Sequence, residues 1–121
     1  MQDCQNTLKT IVYSHFSLGP KPDYKLNIYG YASDKVLPDD FSANNGRPFA
    51  TIDKQDEHAC ALHMRAGWWY NFCSNTLPTG KYYQPCGPYT PPGQYYDGLY
   101  YTDWRGRDYS LKFFKMELSV E

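Results

Sequence analysis

The sequence predicts an α+β domain, with a twisted, mainly antiparallel sheet joined to a loop-rich C-terminal lobe. Three observations lead there. "YKLNIYGY" (24–31) alternates, with Leu26 and Ile28 on one face and Lys25, Asn27 and Tyr29 on the other. That is the pattern of a half-buried strand, and Gly30 marks its end. The stretch 74–98 holds five prolines and four glycines, too many for regular structure. "YSLKFFKMELSV" (109–120) then reads as strand again and returns to the sheet from the far end of the chain.

The remaining elements follow in order. "GPKPD" is a turn, so "TIVYSHFSL" before it is the antiparallel partner of the first alternating run. "LPDDFSANNGRPF" is a loop carrying the turn signal Asn45-Gly46. "CALHMRA" has the composition of a short helix. In the closing strand the apolar parity slips between Phe113 and Phe114, which calls for a bulge or for burial of both faces.

A length of 121 residues bounds the chain to one domain with a real core. Its 12 basic and 13 acidic residues leave a net charge of −1, without the footprint of a nucleic-acid or anionic-membrane binder. No apolar run approaches a membrane span, and no secretory signal opens the chain. It therefore reads as cytosolic or as a mature piece behind a start methionine. The 13 tyrosines suit both half-buried strands and recognition surfaces. Four cysteines, an even count in a chain rich in glycine and proline, favour disulfides and an oxidising compartment. Zinc is the rival, through His58, Cys60 and His63 of "HACALH", but no C-x-x-C accompanies them. Catalysis finds no support: there is no nucleophile elbow, phosphate loop or HExxH, and the histidines are scattered. Asp39-Asp40 and Asp56-Glu57 read as solvated loop charges.

"GWWYNFC" (67–73) poses a sharper question, since two adjacent tryptophans are either a stacking platform or the wall of a core. Together with "YKLNIYGY", "NNGRPFATID", "CALHMRAGWWYNFC", "TGKYY", "YYDGLYYTDWRG" and "YSLKFFKMEL", in this order, it resembles the C-terminal part of a fibrinogen-related domain. That module is shared by fibrinogen, ficolins, tachylectins, angiopoietins and tenascins. The resemblance runs over 11–121 and makes the chain a shortened fibrinogen-like domain, with residues 1–10 an extension unlike the family. It implies that the tryptophans pack inside the lobe and that Cys60 pairs with Cys73. Cys4 and Cys86, outside the family pattern, are then left to pair with each other. It also implies an exposed sheet edge where upstream strands are missing, and hence self-association.

The resemblance further implies two sites. Family members carry calcium on a D-x-D loop, and here Asp53 is kept, Gln55 replaces the second aspartate, and Asp56 or Glu57 is the substitute. The shortened loop and the glutamine disfavour calcium, which stays the one possible cofactor, relative to a solvated acidic turn. Ficolin-like members bind acetyl groups in a tyrosine-walled funnel beside a cis peptide, here Phe72-Cys73. Carried over position by position, Tyr95 is a wall, Tyr96 is bulkier than the family's small residue, and Asp97 lies where fibrinogen meets a peptide amine. Met64 replaces an aromatic wall, Ser74 replaces a histidine, and Arg107 and Tyr109 lie near the remaining wall. The expected function is a secreted, non-catalytic, lectin-like binder of acetylated glycans. The alternative is a protein-interaction or structural domain of an extracellular assembly.

Overall fold

Period-two burial builds the one sizeable hairpin. In the computed structural model, which describes residues 1–33 and 36–119, β1 (Ile11–Leu18) pairs antiparallel with β2 (Leu26–Ser33). Leu26 lies opposite Leu18 and Ile11 opposite Ser33. The apolar face is carried by Leu26 and Ile28, both buried, while Tyr29 turns outward and stacks on His15 across the strands at 4.4 Å. Gly30 sits inside the strand rather than at its end, at φ +77°. A Cβ there would lie 1.7 Å from the Ser14 hydroxyl, so only glycine fits. The loop after β2 covers half of its outer edge: Leu26 N donates to Arg47 O, and Gly46 N donates to Leu26 O. Along β1 no backbone group of residues 11–18 finds a partner on the outer side among the described residues.

The expected helix is a single turn and a half, α1 (Cys60–Met64). It ends at Met64 because Arg65 is left-handed, at φ 56°. Asp56 holds its start: the carboxylate accepts from the N–H groups of His58, Cys60 and Ala61 at 3.3, 3.0 and 2.9 Å. Spacing of four residues puts Cys60 and Met64 on one buried face. A second small antiparallel pair, β3 (Gly87–Pro88) with β4 (Tyr109–Ser110), draws the proline-rich stretch onto the end of the chain.

The closing segment departs from expectation. Only Tyr109–Ser110 is strand, and Phe113 forms an isolated bridge to Gln2 rather than joining the hairpin. Residues 114–119 take no regular structure, and Val120 and Glu121 lie outside the described residues. The physical reason is competition for the backbone. Lys112 N and Gln2 N are bonded across the two chain ends, at 2.9 Å to Gln2 O and 2.8 Å to Phe113 O. The C-terminal segment is thereby held by the N-terminal one.

Apolar side chains form two clusters, and the segment 99–101 contributes to both. Tyr100 points into the first, with Leu26, Ile28, Phe41, the two tryptophans and Leu77. Leu99 and Tyr101 point into the second, with Leu37, Trp104, Tyr109 and Leu111. Consecutive residues face opposite ways, so one short segment serves both clusters. The tryptophan pair is core wall. Trp68 stacks on Phe41 at 4.9 Å and Trp69 meets Phe49 edge-on at 5.0 Å. Their indole N–H groups donate to the Ser74 hydroxyl and to Tyr24 O.

The first ten residues close the second cluster. Asp3 is fully buried and accepts from Gln5 N, Thr7 N and the Arg105 guanidinium, the last at 2.7 Å. Burial works to raise its pKa, yet the Arg105 and backbone hydrogen bonds outweigh it and hold the carboxyl below its ordinary value. Cys4 is disulfide-bonded to Cys86, and Cys60 to Cys73. The second bond removes Cys60 as a thiolate, so the zinc alternative at "HACALH" falls.

Two sequence readings of charge are corrected here. Asp39 and Asp40 are not solvated loop charges. Asp39 accepts from the Tyr13 and Ser42 hydroxyls and from Phe41 N and Ser42 N, just ahead of the loop turn Ser42–Asn44. Asp40 is 3% exposed and accepts from Asp103 N at 2.8 Å. Burial and the neighbouring Asp103 carboxyl push it up to about 7. Asp56 is likewise not a free loop charge, being the cap of α1.

Candidate ligand-binding cavity

Three loops meet beside α1 and leave a cavity of about 330 Å³. Met64 comes from α1 and is buried. The turn 71–75 supplies Phe72, Cys73, Ser74 and Asn75, and the loop 94–96 supplies Gln94, Tyr95 and Tyr96. Tyr100 and Arg107 complete the lining.

The turn 71–75 is held from both sides. Asn71 N donates to Cys73 O at 2.8 Å, and Asn71 Nδ2 donates to Ala43 O at 2.9 Å. The expected cis bond at Phe72-Cys73 is absent: the cis bonds among the described residues are Lys21-Pro22 and Gln84-Pro85. Phe72 and Cys73 reverse the chain through two consecutive left-handed residues, φ 41° and 66°. Such conformations cost roughly 1–2 kcal/mol per residue. The disulfide to Cys60 and the Asn71 bonds hold the turn in place. The turn drives Phe72 outward, where it is 67% exposed beside the His58 ring at 4.1 Å.

Polar groups at the floor are already paired. Ser74 Oγ accepts from Trp68 Nε1 and donates to Thr76 O at 2.6 Å. The Tyr100 hydroxyl donates to Ser74 O at 2.8 Å. Burial raises the Tyr100 pKa, while the nearby Arg107 charge pulls it down. Arg107 is fixed by donating from Nε to Thr102 Oγ1 at 3.0 Å and from Nη2 to Asn75 Oδ1 at 2.7 Å.

Of the residues singled out in the sequence, Met64, Phe72, Cys73, Ser74, Tyr95, Tyr96 and Arg107 meet at this cavity. Tyr109 does not. It is buried in the second cluster, where its hydroxyl accepts from Cys4 N at 2.9 Å. Asp97 is also elsewhere. It lines a neighbouring cavity of about 530 Å³, with Ile52, Leu62, His63 and Arg65, and Tyr95 is the shared wall. There Tyr95 stacks on His63 at 4.7 Å, and Asp97 accepts from the Tyr83 hydroxyl. Asn44, Asn75, Gln94 and Tyr100 line the first cavity without having been singled out. Asn44 arrives from a loop some thirty residues upstream, through Nδ2 to Trp69 O, which no local pattern reveals.

The acidic loop gathers no metal site. Asp53 accepts from Thr51 Oγ1 at 2.6 Å, which lowers its pKa, and Gln55 is exposed. Asp56 is occupied as the helix cap. Among the described residues no group of three or more His, Cys, Asp or Glu could hold a metal ion. No described helix is long and apolar enough to cross a membrane.

A disulfide-closed Trp-Trp turn, a one-turn helix before it and a loop-rich lobe over a small antiparallel hairpin define the class. The chain belongs to the fibrinogen-like domains: the family model described as fibrinogen beta and gamma chains, C-terminal globular domain, matches residues 1–121. The match includes the first ten residues. The chain is 39% identical over 104 residues to angiopoietin-related protein 6 of Mus musculus, covering 83% of this chain and 22% of that protein. It is 32% identical over 111 residues to tenascin of Mus musculus, covering 88% of this chain and 5% of tenascin. The fibrinogen-like globe domain of human ANGPTL2 superposes with a TM-score of 0.83 at 34% identity, over 93% of this chain and 51% of that one. Lamprey fibrin D-dimer, solved with the peptide ligand Gly-His-Arg-Pro-amide, gives 0.78 at 31% identity, over 92% of this chain and 40% of that one. The chain thus spans about half of the ANGPTL2 globe and a smaller share of the curated relatives.

Proposed function

We propose that this chain is a non-catalytic, extracellular protein-interaction module that takes a peptide segment of its partner into the cavity beside α1. The observation that carries the reading is the cavity's rim. Phe72 and Tyr96 are 67% and 42% exposed there, next to polar groups of Asn75, Gln94 and Arg107. Exposed aromatic anchors beside a concave, partly polar site are the usual form of a peptide-receiving surface. The fibrin relative solved with a bound peptide supports the same class of ligand. Two disulfides support an oxidising, extracellular setting.

The lectin reading has less behind it. Met64, in place of an aromatic wall, is buried, and the Ser74 hydroxyl is engaged by Trp68 and Thr76. Neither presents a group at the mouth. Paired arrays of extracellular proteins and of glycans separate the two. The expected result is a protein ligand whose binding falls at least about tenfold with Phe72→Asp or Tyr96→Ala, as for an aromatic anchor, and no signal on N-acetylated glycans. Glycan binding that is competed by free N-acetylglucosamine and lost with Tyr95→Ala would reverse the assignment.

The open outer edge of β1 supports self-association as part of this reading. Sedimentation is expected to show dimers at micromolar concentration. A monomer throughout that range would mean that β1 carries no interface.

A further inference from the structure

The two cavities that share the Tyr95 wall differ in charge. Among the described residues, Arg107 is the one charged residue lining the cavity beside α1, and no carboxylate lines it. Asp97 lies in the other cavity, with its carboxylate on the Tyr83 hydroxyl. Arg107 makes no ion pair among the described residues. Its guanidinium is nonetheless oriented, since Nε and Nη2 are committed to Thr102 and Asn75. Among the described residues Nη1 keeps its N–H groups without a partner, and so does Asn75 Nδ2, whose Oδ1 is the acceptor for Arg107. A fixed guanidinium with free N–H groups beside a free amide N–H is the donor set for a carboxylate. Met64, Phe72, Tyr95 and Tyr96 supply apolar wall to the same cavity. The volume of about 330 Å³ accommodates one large side chain together with that carboxylate.

We propose that this cavity is selective for anions: it takes a partner segment in which an aromatic or large aliphatic side chain lies within one residue of a carboxylate. The carboxylate sits on Arg107 and Asn75, and the apolar group sits against Phe72, Tyr95 and Tyr96. A segment led by an amine meets an unneutralised cation at this site and is refused, which is the reverse of recognition by an acidic pocket. The inference rests on the reading that this cavity is where the partner binds.

The test uses three matched probes, phenylacetate, phenylacetamide and phenethylamine, which carry the same ring with an anionic, neutral or cationic end. Each is titrated into the isotope-labelled, disulfide-bonded chain and followed by NMR. Phenylacetate is expected to shift the signals of residues 72–75, 95–96 and 107 at millimolar concentration. Phenylacetamide should bind about fivefold or more weakly, as for loss of a charge-assisted hydrogen bond, and phenethylamine should leave these residues unshifted. Arg107→Gln should bring phenylacetate down to the level of the amide, while Asp108→Asn, outside the cavity lining, should change nothing. The proposal is overturned if the amide or the amine binds as tightly as phenylacetate, if the preference survives Arg107→Gln, or if none of the probes shifts these residues. Should that happen while Phe72→Asp still abolishes protein-partner binding, charge selectivity fails and the site stands. Partner binding that survives Phe72→Asp removes the site itself.

Discussion

Replacing both Cys4 and Cys86 with serine should lower the unfolding free energy by about 4 kcal/mol, the loop-closure value for a bridge spanning 82 residues. The bond joins the N-terminal segment to the lobe, and Gly87 of β3 lies directly beside it. Without it the unfolded chain regains the freedom of a loop of 82 of its 121 residues. The folded chain keeps the Asp3–Arg105 pair and the Gln2–Phe113 bridge, so the native second cluster should still form. Urea unfolding of the double variant measures the difference. A loss below about 0.5 kcal/mol, within the range of ordinary surface substitutions, would mean that those contacts alone retain the first ten residues. The same exchange at Cys60 and Cys73, with a separation of 13, should cost about 3 kcal/mol by the same relation. There the left-handed turn 72–73 also loses its anchor.

Asp40→Asn should make the chain more stable at pH 8 and flatten its stability between pH 4 and 8. In the native state burial and the adjacent Asp103 carboxyl raise the Asp40 pKa to about 7. In the unfolded chain an aspartate titrates near about 3.9. A raised acid favours folding while protonated, so its contribution is complete below about pH 4 and is lost as pH rises through about 7. The difference corresponds to on the order of 4 kcal/mol between the two ends of that window. Asparagine stays neutral and keeps an oxygen for the Asp103 N–H, now bonded at 2.8 Å. Asp3 and Asp39 act with the opposite sign. Their pKa values are lowered in the fold, so the stability they supply is present above the unfolded value and lost as pH falls through the folded one. Thermal unfolding across pH should therefore show a maximum on the mildly acidic side, which moves toward neutrality in the Asn variant. A wild-type stability that rises from pH 5 to 8 would show that Asp40 is ionised in the fold.

Local pattern was enough wherever a residue's role depends on its near neighbours. Leu26 and Ile28 announce the buried face of β2 because side chains alternate along a strand. The Trp-Trp turn and the "YYDGLYYTDWRG" and "YSLKFFKMEL" runs announce the family, and seven of the nine proposed ligand residues do meet at one cavity. Geometry decided the other two. Tyr109 and Tyr95 look alike in sequence, but Tyr109 points into the second cluster because β4 pairs with β3 and carries it to Cys4.

The sequence by itself determined the family, the hairpin, the short helix and the irregular, proline-rich lobe, since each follows from periodicity, turn residues or a contiguous motif. Only the tertiary structure decided the fate of the charges and the ends of the chain. Asp40 and Asp56 read as loop charges until burial by residues far along the chain and the cap of α1 are known. The closing segment has the alternation of a strand, yet its backbone is taken by Gln2, more than a hundred residues away. Hydrogen-bond competition over that separation leaves no trace in a local window. For the same reason the sign of the cavity's charge, set by Arg107 without Asp97, appears only once the loops have met.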